Sequence, residues 1–284
     1  MPEGTTPPPS AGARHASFGD VAREVVRAGA GGRLAFEGVT LASVFQPIYS
    51  VERGAATGDE ALVRALARNG DPMHARELFQ SMGRPSRVRL DWTCRALHLR
   101  SYASLDNGER HLYLNVHPAA LADDPDGGRD FAELVRFYGL SPQRVVLEVL
   151  ETGSGDEERL GTAIDAHRRR GFSIAMDHFG RGRSNLDRIV RLRPKLVKVD
   201  RQLLGEAFGA TQAARRLPQV VEMLRDTGAQ VAVKGVENAR DALASIEAGA
   251  ALLQGFHLGA PARSPGNEAL TGELIRSARR LAAA

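Results

Sequence analysis

The chain has 284 residues, 43% of them hydrophobic, with 38 basic against 34 acidic side chains and a net charge of +4. That is enough apolar material for a large core, and so small and dispersed a positive excess suits an anionic small ligand while arguing against a nucleic-acid groove. An aromatic content of 5% argues against a base-stacking platform, and the single cysteine, Cys94, excludes an internal disulfide or a thiolate metal cluster.

In chain order, residues 1–16 (MPEGTTPPPSAGARHA) are too rich in Pro, Gly, Thr and Ala to bury much and are expected to form a tail. They hold no apolar signal core, and no later run reaches the ~18 apolar residues of a membrane span, so a cytoplasmic location is expected. FGDVAREVVRA, Phe18–Ala28, has the spacing of a short amphipathic helix, which GAGG breaks. The tail and this helix make up residues 1–33, and one barrel domain is expected over 34–284.

LASVFQPIYS predicts a strand, and TGDEALVRAL a second one paired with it as a hairpin. Pro72–Ser104 carries helical periodicity and includes Cys94, read as a small core residue. Thereafter strands and helices alternate. The strands are HLYLNV, RVVLEVLE, FSIAMD, KLVKVD, AQVAVKG and ALLQGF. The helices are Phe131–Tyr138, Glu157–Arg170, Ser184–Arg191, Ala213–Thr227, Ala239–Ala248 and a final Glu268–Ala284. Strands apolar on both faces and alternating with helices imply a parallel sheet. Eight such strands predict an α/β fold, a TIM-like (β/α)8 barrel with an antiparallel first strand. The rival, an open doubly wound sheet, lacks its Gly-rich first turn here.

In a barrel of this kind chemistry sits at the carboxyl ends of the strands. Those ends carry Glu60, Asn115, Glu148, Asp177 with His178, Lys198 with Asp200, Lys234 with Glu237, and Gln254. One buried polar group at a strand end is commonly structural. A ring of them is costly unless it serves a ligand or metal. Glu60, Asn115, Glu148 and Asp177 are hard oxygen donors, suited to Mg2+, Mn2+ or Ca2+ rather than zinc, and a divalent ion among oxygens is a natural partner for a phosphate ester.

At this point the motifs resemble the EAL domain family, bacterial phosphodiesterases that open cyclic di-GMP to linear pGpG. FQPIYSVERGAATGDEALVRA carries Glu60-Ala61-Leu62 and Arg64, LNVHP carries Asn115, and LEVLE carries Glu148 and Glu151. DHFGRGRSNL stands where the family has DDFG, LVKVD holds Lys198 and Asp200, KGVE stands where the family has EGVE, and LLQGFHLGAP closes the series. The resemblance implies a first metal on Glu60, Asn115, Glu148 and Asp177. It implies a second on Asp177 with two further carboxylates, whose places are taken here by His178 and Lys234. It further implies ligand contacts at Gln46, Arg64 and Pro261, a water-orienting role for Lys198 in active members, and loop support by Glu151. Asp200 and Gln254 are also expected near the ligand. Glu237 corresponds to a site position and is expected to pair with Lys234 or Lys198.

Imidazole can ligate a metal, but an ammonium cannot. At about 4 Å and an effective dielectric near 20, a unit charge repels a dication by roughly 8 kcal/mol. The expectation is therefore a degenerate, catalytically inactive member that keeps one metal site at most. In it the Lys234 ammonium stands in for the second ion, and cyclic di-GMP is bound but not cut. The alternatives are an active phosphodiesterase and a scaffold that has lost the nucleotide. A homodimer is the default, with a further protein partner open. The two arginines of the loop, Arg181 and Arg183, are expected to alter pairing, reach a phosphate or lie in solvent. His117, His167 and His257 show no mutual ligand spacing and are expected at the surface or in caps.

Overall fold

The computed structural model describes residues 17–28, 32–105, 108–124, 126–150, 156–179, 186–200 and 210–264, with 210–214 described by backbone alone. The expected tail, Glu151, Arg181, Arg183 and the C-terminal helix lie outside these residues.

Ten strands are described: β1 Arg33–Phe36, β2 Val39–Ser50, β3 Ala55–Leu66, β4 Pro72–Met73, β5 His111–Val116, β6 Val145–Leu150, β7 Ser173–Phe179, β8 Leu196–Asp200, β9 Gln230–Lys234 and β10 Leu252–Leu253. β2 pairs with β3 through a hairpin and also with β10, both antiparallel, and the ladder from β3 through β5 to β10 is parallel. The sheet thus closes into an eight-stranded barrel whose first strand runs against the rest. β1 and β4 are short additions on the outer edges of β2 and β3. They lie beyond the eight strands the sequence pattern shows.

The region expected to be one helix from Pro72 to Ser104 is instead β4 followed by two helices, Ala75–Ser81 and Arg84–Ala103. Gly83 caps the second helix in an extended conformation, and Pro85 follows at its start. Proline cannot donate to the preceding turn, so the periodicity continues in sequence while the backbone breaks.

Alternation along the strands sorts the barrel into layers. Outward residues such as Leu112, Leu114, Leu147, Val149, Ile174, Val197 and Val231 pack against the helices. Inward residues form an apolar plug of Ile48, Tyr113, Val146, Ala175, Leu196 and Ala232, with Leu252 packed against it. Gly58 makes room for it, because a Cβ there would lie 2.4 Å from the Tyr113 ring. Two residues further along the parallel strands, on the same face, stand Asn115, Glu148, Asp177, Lys198, Lys234 and Gln254. Glu60 on β3 and Gln46 on β2 complete this polar layer, opposite each other in the β2–β3 register. The plug seals the barrel beneath the polar layer and so aims every polar side chain at one mouth.

Candidate functional site

Glu60 is the hub of the mouth. It is 3% exposed. Its Oε1 accepts from Asn115 Nδ2 at 2.8 Å, and its Oε2 accepts from Lys198 Nζ and from Gln254 Nε2, both at 2.7 Å. Lys198 Nζ also donates to Glu148 Oε1 at 2.6 Å and lies over the Tyr113 ring of the plug at 5.8 Å. Gln254 further donates to Gln46 Oε1 at 3.2 Å, and Gln46 Nε2 donates to the Gly259 carbonyl at 3.0 Å. The segment after β10 is thereby tied across the mouth to β2, next to the bridge between Phe45 and Ala262, the residue after Pro261. Gly255 permits the close approach: a Cβ there would lie 2.1 Å from the Val236 carbonyl oxygen.

On the other side, Lys234 Nζ grips both oxygens of Asp177, at 3.1 and 3.0 Å. His178 sits beside them with Nε2 3.4 Å from Asp177 Oδ2, and its backbone N–H donates to Asp177 Oδ1 at 2.8 Å. His178 has φ 61, in the left-handed region, at an interruption of the β7–β8 register between Met176 and Phe179. Histidine joins Asn and Asp as the side chains met there most often after glycine, and such an irregularity re-aims a side chain beside a site.

The charges set one another. Burial pushes the Glu60 and Asp177 carboxyls upward, but the ammonium groups of Lys198 and Lys234 outweigh it and hold both below the ordinary carboxylate range. Glu148 goes the other way: burial and the neighbouring Glu60 carboxylate raise it to about 8. Both lysines are raised above their ordinary value; burial opposes this and the surrounding carboxylates prevail.

Carboxylate oxygens of Glu60, Glu148 and Asp177 all lie within 4.8 Å of one another. Glu148 Oε2 is buried and has no hydrogen-bond partner among the described residues. An orphaned carboxylate oxygen among hard donors fits one divalent ion, which Glu60, Asn115, Glu148 and Asp177 would hold. At the neighbouring position the groups present are an ammonium and an imidazole, and Lys234 already engages both Asp177 oxygens. Those groups do not fit a second ion.

Arg64 is exposed, on the same face of β3 as Glu60 but four residues further along, where its Nη1 donates to the Val63 carbonyl. Asp200 is half-buried and faces Lys234 in the β8–β9 register. Glu237 is exposed, and its backbone N–H donates to Asp241. Lys198 takes Glu60 and Glu148, and Lys234 takes Asp177. The two are drawn to the inward-facing carboxylates of the polar layer. His117 caps the helix that follows β5, accepting from the Ala119 N–H, and His257 is exposed. His167, expected near the surface, is instead fully buried against Phe172, with Nδ1 on the Ala163 carbonyl and burial holding it down to about 4. Sequence reading missed Tyr113, the floor of the mouth, and Asp91 behind it. An aromatic two residues before Asn115 was the available signal for the first.

The EAL domain family matches residues 33–261. The uncharacterized EAL-domain containing protein YkuI of Bacillus subtilis is 28% identical over 226 residues, 78% of this chain and 54% of YkuI. Its structure, in complex with substrate c-di-GMP and calcium, has a TM-score of 0.73 at 24% identity and covers 86% of this chain and 61% of that one. The cyclic di-GMP phosphodiesterase RocR of Pseudomonas aeruginosa is 31% identical over 157 residues, 53% of this chain and 38% of RocR. A manganese and cy-diGMP complex of Klebsiella pneumoniae BlrP1 has a TM-score of 0.70 at 26% identity, covering 79% of this chain and 57% of that one. The chain spans about half the length of YkuI and less of RocR.

Proposed function

The chain belongs to the EAL domain family, and from that premise we propose that it binds cyclic di-GMP at the barrel mouth without hydrolysing it, as a regulatory module. The observation that carries this reading is the two-point ion pair of Lys234 on Asp177. Two neighbouring metals in a phosphodiesterase site clamp the attacking and leaving oxygens of the displacement. Here the second place holds a fixed positive charge, which attracts a phosphate and supplies no hydroxide.

One divalent ion, Mg2+, Mn2+ or Ca2+, is the cofactor of this reading, on Glu60, Asn115, Glu148 and Asp177. When bound it would neutralise phosphate charge beside Lys234. Arg64, further out on β3, suits a phosphate oxygen pair; Gln46, Asp200, Gln254 and Pro261 line the way to it. Lys198 is already committed to two carboxylates and serves as their counter-charge, and Glu237 has no catalytic part. As a module that leaves its ligand whole it would act by contact, on a second copy of the chain or on another protein, in the cytoplasm.

The test pairs two measurements on the purified protein with Mg2+ or Mn2+. Calorimetry should show saturable cyclic di-GMP binding that Glu60→Ala abolishes. Chromatography should show no pGpG above that same variant. Steady pGpG formation would favour the active phosphodiesterase, and absent binding would favour a scaffold.

A further inference from the structure

Behind the mouth, one charged pair is sealed inside the helical layer. Asp91 and Arg95 stand one turn apart on the helix Arg84–Ala103, exposed by only 3% and 1%. Arg95 Nε donates to Asp91 Oδ2 at 2.8 Å. Its two Nη atoms are buried without a hydrogen-bond partner among the described residues. What the guanidinium has instead is a pair of rings, Phe18 at 5.3 Å and Phe131 at 5.1 Å. A desolvated cation over an aromatic face is attracted by the ring's negative face, which partly offsets the missing hydrogen bonds.

Phe18 opens the helix Phe18–Arg27, which lies outside the span matched by the family. A capping box between Ser17 and Asp20 starts this helix, and Phe18, Val21 and Val25 are its buried stripe. Phe18 meets Trp92 and Phe131 edge-on, at centroid distances of 6.3 and 5.2 Å.

The other oxygen of Asp91 faces the site. Oδ1 accepts the backbone N–H of His117 at 2.7 Å, and the next residue on the helix, Trp92, donates its Nε1 to the Ala120 carbonyl at 3.2 Å. One turn of helix thus pins the turn after β5 at two points. Two residues before His117 stands Asn115, whose side chain donates to the Glu60 hub.

We propose that Asp91 and Arg95 are positioning residues for Asn115 and that the Phe18 ring holds them in place, so that seating of that ring against Arg95 sets the geometry of the acid cluster. Each link is a contact of fixed direction: ring over guanidinium, guanidinium to carboxylate, carboxylate to the His117 N–H, and Asn115 to Glu60. With the ring gone, Arg95 takes up water and Asp91 loses its locked counter-charge. The bond to His117 then weakens, and Asn115 gains freedom. Linkage makes the coupling mutual, so an ion at the cluster tightens the seat of the Phe18 ring in return.

The affinity arm of the test rests on reading the cluster as a metal site; the exchange arm does not. Phe18→Leu in the full chain keeps an apolar side chain and removes the ring. Val25→Ala loosens the same helix away from Arg95. Phe18→Leu should speed hydrogen exchange of the His117 amide by about tenfold and weaken Mn2+ binding by about fivefold. Val25→Ala should lower Tm at least as much and leave both readouts near wild type. Equal His117 exchange in the two variants, or no change in Phe18→Leu, would overturn the coupling. If the wild-type protein takes up no Mn2+, the metal reading fails, and the exchange comparison still decides this one.

Discussion

The two ammonium groups of the mouth look alike and do opposite things. Lys198 is fully buried and bridges Glu60 and Glu148, so it cancels charge between two carboxylates and leaves one Glu148 oxygen unpaired. Lys234 is 17% exposed and closes on both oxygens of Asp177. The first arrangement keeps a hard-donor pocket that an ion can enter. The second, on the proposed reading, fills the neighbouring place with a cation. With all three carboxyls ionised, the two ammoniums would leave the cluster one negative charge, where a carboxylate at position 234 would leave it three. On the proposed reading, the exchange of carboxylate for ammonium at position 234 separates holding a phosphate ester from activating water against it.

The largest expected effect comes from breaking the shared hub. Glu60→Ala removes the acceptor of Asn115, Lys198 and Gln254 and leaves Lys198 with one partner in a dry interior. Breaking a buried pair this way costs about 3–5 kcal/mol, read as a fall in unfolding free energy, and Mn2+ uptake should vanish with it. Next is the exchange that would erase the asymmetry. The double variant His178→Asp with Lys234→Glu should take up a second Mn2+ and raise pGpG formation by about 10²-fold or more, roughly 2.7 kcal/mol off the barrier.

The proton on Glu148 offers a sharper comparison of the two sides. Its carboxyl is raised from 4.5 to about 8. Between those values the folded chain keeps a proton that the unfolded chain releases, so this group's contribution to stability is full below the unfolded value and falls as pH rises through about 8. Glu148→Gln should flatten that decline in Tm against pH. The decline should persist if Lys234 rather than Glu148 were its source. The smallest effect probes the floor common to both lysines. Gly58→Ala would drive a Cβ into the Tyr113 ring, an overpacking cost of about 1–3 kcal/mol, measured by denaturant unfolding.

Much of this was legible from the chain because a strand buried on both faces has little reason to end in a carboxylate. The run of Glu60, Asn115, Glu148 and Asp177 at successive strand ends therefore marked both the barrel and its mouth, and the structure gathers all four around Glu60 and Lys198. What stayed hidden depends on contacts between distant elements. Lys234 crosses to Asp177 on another strand, a pairing that no local spacing announces. The Gly83–Pro85 break sits inside an unbroken helical period. Asp91 and Arg95, four apart in RLDWTCRALHLR, have the spacing of an ordinary surface pair, and only packing of the N-terminal helix shows them to be buried.

Counting ions tests the central claim most directly. Titrating the wild-type protein with Mn2+ in saturating cyclic di-GMP, with free Mn2+ followed by electron paramagnetic resonance, should saturate at one ion per chain while the nucleotide is recovered intact. Saturation at two ions per chain with accumulating pGpG would contradict the account.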